Sequence, residues 1–298
     1  MTYARRALFE LHIAVLLFGI SGVFGKLLPI DPSQIVFGRS IIGFVALLLI
    51  LMLKGQLRGA ANTRQWLINI TLGALLSFHW ITFFKAIQVS SVAVGLLAFA
   101  SFPVFVTLME PFFFKEHLRW VDILTMGAVV LGLYLVVPPL GTAHHIMAGI
   151  SWGVFSAFLF AVLSLCNRSR LKETKPLVLS LYQNMGAAMT AGLIMPWSGW
   201  ADLTTQWSML LLLGLVCTTL PLVLLLNSLR VLKAQLVSLV VCLEPVYGVL
   251  LAMLLLSEIP SLTTIVGGSI ILGAVAVGSL LKDSPVLPPT QNDLKSPV

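Results

Sequence analysis

Charge is what this sequence has least of. Only 10% of its 298 residues are Asp, Glu, Lys or Arg, whereas a soluble domain carries about 25%. A chain so poor in charge, and 58% hydrophobic, cannot cover itself with polar surface, which excludes an ordinary soluble fold. Cysteine is almost as scarce. Cys166, Cys217 and Cys242 all sit in apolar runs with no CxxC pattern and no histidine at ligand spacing, so neither a disulfide framework nor a metal site is indicated and the three read as buried packing residues. No phosphate loop, nucleophile triad or metal motif occurs, and His144-His145 has no partners at ligand spacing. No cofactor is expected.

Long apolar runs dominate instead. A span needs about 20 apolar residues to cross a hydrocarbon core of about 30 Å. Runs and their breakers place spans at about 8 to 28, 35 to 53, 66 to 87, 92 to 114, 121 to 137, 146 to 166, 177 to 197, 209 to 229, 235 to 256 and 262 to 281. The first follows Arg5 and Arg6 but lacks a small-residue cleavage pattern, so it reads as a span and not a signal peptide. The fifth is short and ends at Pro138-Pro139, and the proline-rich, polar tail from Asp283 to Val298 reads as disordered.

A net charge of +7 raises nucleic acid as a partner, but the basic residues are spread between apolar runs and form no single face. Membrane topology accounts for them better. With the N-terminus inside, fifteen of the eighteen Lys and Arg residues, from Arg5 and Arg6 to Lys282 and Lys295, fall in cytoplasmic segments, as the positive-inside rule requires. Only Lys26 and Lys85 fall opposite, and Arg39 lies within the second span. Both termini are expected in the cytoplasm, in a multi-pass cell-membrane protein.

The two halves also match each other. At an offset of 142 residues, Pro103-Val104 falls on Pro245-Val246 and Glu116 on Glu258. A shared proline within a span and a shared glutamate thirteen residues later are hard to obtain from composition alone. Five spans per half is an odd number, so the second copy enters from the opposite face. The expected fold is therefore all-α integral membrane, ten transmembrane helices as two inverted five-helix repeats at 1–140 and 146–282. Equivalent halves that exchange conformations give a central site access to each side in turn.

These residues resemble a known family. The run Leu243-Glu244-Pro245-Val246-Tyr247 through Ser257-Glu258, the first-half variant Ser101-Phe102-Pro103-Val104-Phe105 through Lys115-Glu116, and Arg39 in the second span are similar to the EamA-type drug/metabolite transporter superfamily. The resemblance covers nearly the whole chain. It implies ten helices in two inverted halves and, mostly, export of amino acids, related metabolites or xenobiotics, with other branches moving nucleotide-sugars or triose phosphates. The first half carries Phe102 where the second has Glu244, so the carboxylate is not duplicated.

Ionisable groups within spans are costly, at about 2.5 to 3.5 kcal/mol each on insertion scales, and so point to function. Glu244 precedes Pro245, which lacks a donor for the carbonyl of Val241. It reads either as a cavity carboxyl, with a role in coupling, or as a structural one bonded to a neighbouring helix. Pro103 opens the backbone near Phe99 in the same way, and both prolines are kink candidates. His79 and Trp80 lie near the middle of span three: His79 as a donor to a substrate carboxylate, a proton-coupling group or a packing histidine, Trp80 as a platform for a planar or cationic substrate. Arg39 either snorkels to the outer interface or faces the cavity to attract an anion. Glu110 pairs most simply with Lys115 at the cytoplasmic boundary. Gln183, Asn184 and Asn227 are either ligands or hydrogen-bonding groups between helices, and the glycines of spans one and ten, such as Gly19 and Gly268, serve close packing.

The expectation is a non-enzymatic secondary transporter, an exporter of amino acids or related small metabolites, with the lipid bilayer, a small-molecule substrate and a proton as partners. A multidrug exporter, or a metabolite importer or exchanger, is the alternative. A lipid-processing membrane enzyme or a sensor is more distant, since no paired carboxylates accompany the inner basic residues.

Overall fold

The computed structural model describes residues 3–56, 63–114, 118–136, 143–199, 204–241 and 243–280. Lys115, Glu116, Pro138-Pro139, Cys242 and the tail lie outside them. The described chain is all helical: α1 (Tyr3–Leu27), α2 (Pro32–Leu53), α3 (Thr63–Val89), α4 (Val92–Phe99), α5 (Phe102–Phe114), α6 (Trp120–Val136), α7 (Ala143–Arg170), α8 (Pro176–Ile194), α9 (Trp207–Gly214), α10 (Leu220–Val231), α11 (Ala234–Val241), α12 (Glu244–Leu256) and α13 (Leu262–Leu280). A π-turn, Leu215–Thr219, joins α9 to α10. Seven stretches, including the paired α4–α5 and α9–α10, are long and apolar enough to cross a membrane. Three shorter apolar helices, Trp120–Leu135, Glu244–Leu256 and Leu262–Ala274, accompany them.

The distribution of side chains is that of a protein solvated by lipid. Large apolar residues face outward, with Leu124, Leu193, Leu254 and Ile259 all more than two-thirds exposed, while Arg39, Glu110, Gln183, Asn184 and Glu244 are buried. In water the reverse holds. Exposed Trp66, Trp120, Trp197 and Trp207 stand close to helix ends, where an amphipathic ring meets the membrane interface.

Local signals set several boundaries. Asp31 caps α2 in a capping box, taking the amide of Ser33 at 2.8 Å while the Gln34 side chain accepts from the Asp31 amide at 3.1 Å, and Pro32 occupies the first turn. The α4–α5 stretch is broken at Ala100–Ser101, just ahead of Pro103, and the α11–α12 stretch ends at Val241 and resumes at Glu244, just ahead of Pro245. A proline cannot donate to the carbonyl four residues back, which here is that of Phe99 or Val241. At the far end of α12, Ser257 takes a left-handed conformation (φ 56°), and the Glu258 carboxylate accepts the Val92 amide at 3.0 Å. This repeat glutamate thus tethers the start of α4.

Packing follows a two-fold pattern. The α3 helix packs on α7 and α8, as α10 packs on α1 and the α9–π-turn segment on α2; α4 and α5 pack on α7, as α12 and α11 pack on α1. Three pairings map onto themselves: α2 with α8, α6 with α13, and α4–α5 with α11–α12. Small residues permit the closest approaches. A Cβ on Gly186 would lie 2.2 Å from the Ile70 carbonyl oxygen, so α8 and α3 touch backbone to backbone.

Candidate functional site

Arg39 is the largest fully buried side chain, 1% exposed, and what holds it begins with a proline. Pro221 in α10 leaves the Cys217 carbonyl without its usual donor, and the backbone widens into the π-turn. Thr218 Oγ1 and Thr219 Oγ1 donate back to Leu213 and Gly214 at 2.7 and 2.8 Å. Arg39 Nη2 then donates to the Cys217 carbonyl at 3.0 Å and Nε to Thr218 Oγ1 at 2.7 Å. Trp80 lies against the guanidinium, with 4.3 Å between Cζ and its ring centroid, and Phe84 follows at 5.3 Å. A buried cation needs such partners, and π-turns recur at functional sites. Of the two readings of Arg39, the structure holds it inside.

Around it closes a cavity lined by Phe18 and Ser21 of α1, Arg39, Leu76, His79, Trp80 and Phe83 of α3, Phe99, Phe160, Leu222 and Glu244. Glu244, 4% exposed, opens α12. Its backbone is fixed from behind by Gly19, where a Cβ would meet Tyr247 Cβ at 2.8 Å and the Glu244 carbonyl at 3.1 Å. Opposite charges thus arrive on one cavity from the two halves of the chain. His79 stacks on Phe160, with ring centroids 4.7 Å apart, and stands 5.3 Å from Phe99, while its Nδ1 lies 2.8 Å from Ser156 Oγ and 3.1 Å from the Ser156 carbonyl. Both ends of an amphipathic solute find partners here: a cation and a carboxyl as poles, five aromatic rings and two leucines as an apolar wall.

The cavity is small, about 30 Å³, and every side chain lining it is at most 9% exposed. The described conformation is therefore closed around its polar centre, and any solute larger than water needs the helices to part. At the end of the bundle that holds the α1–α2 turn, a cleft of about 550 Å³ is lined by Lys26, Asp31, Gln34, Lys85 and Gln88 among others. Deeper toward the opposite end, Glu110 of α5 pairs with Arg168 of α7 at 2.5 Å, and Arg168 lies 4.0 Å from the Phe114 ring centroid.

Four of the expected residues, Arg39, His79, Trp80 and Glu244, meet in the cavity. Three do not. Gln183 Nε2 donates to Asn167 Oδ1 at 2.6 Å, Asn184 Nδ2 donates to the Ser180 carbonyl at 2.9 Å, and half-buried Asn227 does not line the cavity. Pro103 and Pro245 sit at the helix breaks, one beside the cavity residue Phe99 and the other beside Glu244. Glu110 pairs with Arg168, 58 residues away; Lys115, its expected boundary partner, lies outside the described residues. Sequence reasoning missed Thr218, Pro221 and Ser156; of these only Pro221, a proline within an apolar run, carried a readable signal.

Comparison with known proteins gives the same picture. The EamA-like transporter family model matches residues 6–137 and again 147–280. The uncharacterized transporter YxxF of Bacillus subtilis is 24% identical over 250 residues, 82% of this chain and 80% of that one. An uncharacterized transporter of Archaeoglobus fulgidus is 24% identical over 265 residues, 89% and 93% of the two chains. A solved crystal structure superposes with a TM-score of 0.66 at 20% identity, covering 92% of this chain and 98% of the other, which speaks to the fold alone.

Proposed function

The chain belongs to the EamA-like transporter family, and from that premise we propose that it is a secondary active transporter. It moves a small amphipathic solute, an amino acid or a related metabolite, out across the cell membrane by alternating access around the Arg39–Glu244 cavity. One observation carries this reading: two buried, oppositely charged side chains from different halves of the chain line one cavity among aromatic rings. A zwitterion fits such a place, its carboxylate on Arg39 through charge-assisted bonds and its ammonium on Glu244. Trp80 orients Arg39 in this scheme instead of stacking on the substrate.

Alternating access is supported by the closed state of the cavity and by the packing pattern, which is unchanged when the first five apolar stretches are exchanged with the second five. The family model's two matches and the Pro103/Pro245 register point the same way. Two halves of opposite orientation then trade conformations, opening the cavity to one side and then the other. The distribution of Lys and Arg supports cytoplasmic termini, with the 550 Å³ cleft then on the outer face. The resemblance of the sequence to a family of exporters supports outward movement.

Glu244 and His79 are the groups available to couple a proton. In proteoliposomes, Glu244→Gln is expected to abolish flux driven by a pH gradient while leaving the protein folded. Unchanged gradient-driven flux removes Glu244 from coupling. A second reading, export of lipophilic compounds, draws on an apolar groove of about 290 Å³ lined by Leu97, Pro245, Val246, Met253, Ile265 and Leu272 among others. Its lining includes Pro245, the sequence neighbour of Glu244. Growth assays with lipophilic cations, with and without the gene, separate the two.

A further inference from the structure

His79 is bound in a way that settles which of its nitrogens carries the proton. The Ser156 carbonyl oxygen, 3.1 Å from Nδ1, can only accept. Ser156 Oγ lies 2.8 Å from the same Nδ1 and donates its single hydrogen to the His79 carbonyl at 3.0 Å, so toward the ring it too offers only lone pairs. The carbonyl contact calls for a hydrogen on Nδ1, and a hydroxyl turned to the His79 carbonyl is free to accept it as well. The second hydroxyl near the ring, Thr82 Oγ1, is turned away, donating to the carbonyls of Phe78 and His79 at 2.8 and 2.9 Å. Phe160, Phe99 and Phe83 surround the imidazole, with centroids at 4.7, 5.3 and 6.2 Å, and offer no polar atom. Among the described residues Nε2 has no hydrogen-bond partner, and the ring lines the cavity. In the neutral ring a hydrogen on one nitrogen leaves the other as an acceptor.

We propose that Ser156 is a positioning residue that holds His79 as the Nδ1–H tautomer, so that Nε2 presents a lone pair to the cavity and the substrate is recognised there through an N–H donor, a protonated amine. This reverses the expectation that His79 donates to a carboxylate. It also divides the site chemically. Arg39 has only donors to offer, whereas Glu244 and His79 Nε2 have acceptors, so the carboxylate and amine ends of a solute are sorted to different partners. Solutes whose nitrogen is acylated lack the charge and keep a single N–H, so at least one of Nε2 and Glu244 is left unmatched, which a buried site penalises. The tautomer stands independently of what the protein transports; the amine assignment rests on the transport reading.

The tautomer is tested by ¹⁵N NMR of the histidine-labelled full-length protein in lipid vesicles, with His79 assigned from its disappearance in His79→Gln. The expected spectrum has a protonated Nδ1 and a bare Nε2, with mixed tautomers in Ser156→Ala. A wild-type spectrum with the proton on Nε2 overturns the proposal, whether or not transport has been demonstrated. The amine is tested by thermal stabilisation of the same protein with each protein amino acid and its N-acetyl counterpart as probes. At least one free amino acid is expected to stabilise it, its acetylated form requiring at least about tenfold more, a gap of about 1.4 kcal/mol. Equal stabilisation by both members of each pair, or by no free amine in the panel, removes the amine assignment and leaves the tautomer in place.

Discussion

Replacing Arg39 with methionine separates the fold from the function. In place, the guanidinium gains about 2 kcal/mol from the desolvated Trp80 contact and about 1.5–3 kcal/mol from each of its bonds to Thr218 and Cys217. Burying the charge costs several kcal/mol in return. These terms nearly cancel, and methionine fills much of the same volume with no charge to desolvate. The change leaves the buried Cys217 carbonyl without its Arg39 donor, at about 1–3 kcal/mol, so Arg39→Met is expected to unfold within about 3 kcal/mol of the wild type. Transport is a different matter. A charge-assisted bond to a substrate carboxylate is worth about 1.5–3 kcal/mol, so its loss raises the half-saturating concentration about 10- to 150-fold. Arg39→Lys keeps the charge but not the planar fork that meets Thr218 Oγ1 and the Cys217 carbonyl together, and its affinity should fall between the two. The assay is counterflow in proteoliposomes, with unfolding in SDS as the stability measurement. Wild-type affinity in Arg39→Met refutes a substrate-binding Arg39, and destabilisation by more than about 4 kcal/mol makes its role structural.

Three further outcomes follow from the packing. Either single substitution in the Glu110–Arg168 pair removes a buried charge-assisted bond and should cost about 1.5–3 kcal/mol in SDS unfolding, whereas Glu110→Leu with Arg168→Leu should cost less than the two single changes summed; additive single costs contradict a coupled pair. Gly186→Ala pushes a methyl into the Ile70 carbonyl and should cost about 1–3 kcal/mol, and unchanged stability means that α3 and α8 are not in backbone contact. Thr218→Val removes an acceptor from Arg39 and should weaken substrate binding more than it weakens the fold. Thr218→Ser should behave as wild type in the same counterflow assay.

Much of the framework was legible because lipid imposes few and strong rules. Apolar runs, Lys and Arg asymmetry and the prolines at 103, 221 and 245 act locally, and a proline's missing donor names the carbonyl it frees, four residues earlier. Pro221 carried that message and went unread, although the Cys217 carbonyl it releases is the one that receives Arg39. Long-range choices were not legible. Nothing near Glu110 in the sequence points to Arg168, and a serine such as Ser156 on an apolar helix differs little from any other packing residue until His79 is brought against it. Gln183 and Asn184, polar in a span, read in sequence as either ligands or bonds between helices; Gln183 bonds to the Asn167 side chain and Asn184 to a carbonyl one turn back in its own helix, while Glu258 caps a helix across the repeat.

Ser21 lines the closed cavity from α1 and is 3% exposed, which makes it the position from which to watch the site change sides. In a background where Cys166, Cys217 and Cys242 are replaced by alanine, Ser21→Cys is treated with a membrane-impermeant thiol reagent applied to either face of sealed vesicles. The thiol is expected to react from both faces in the cycling protein, and conditions raising reactivity from one face are expected to lower it from the other. A thiol at position 21 that stays unreactive from both faces in a protein that still transports, or that reacts from both at once without such a trade, contradicts alternating access through this cavity.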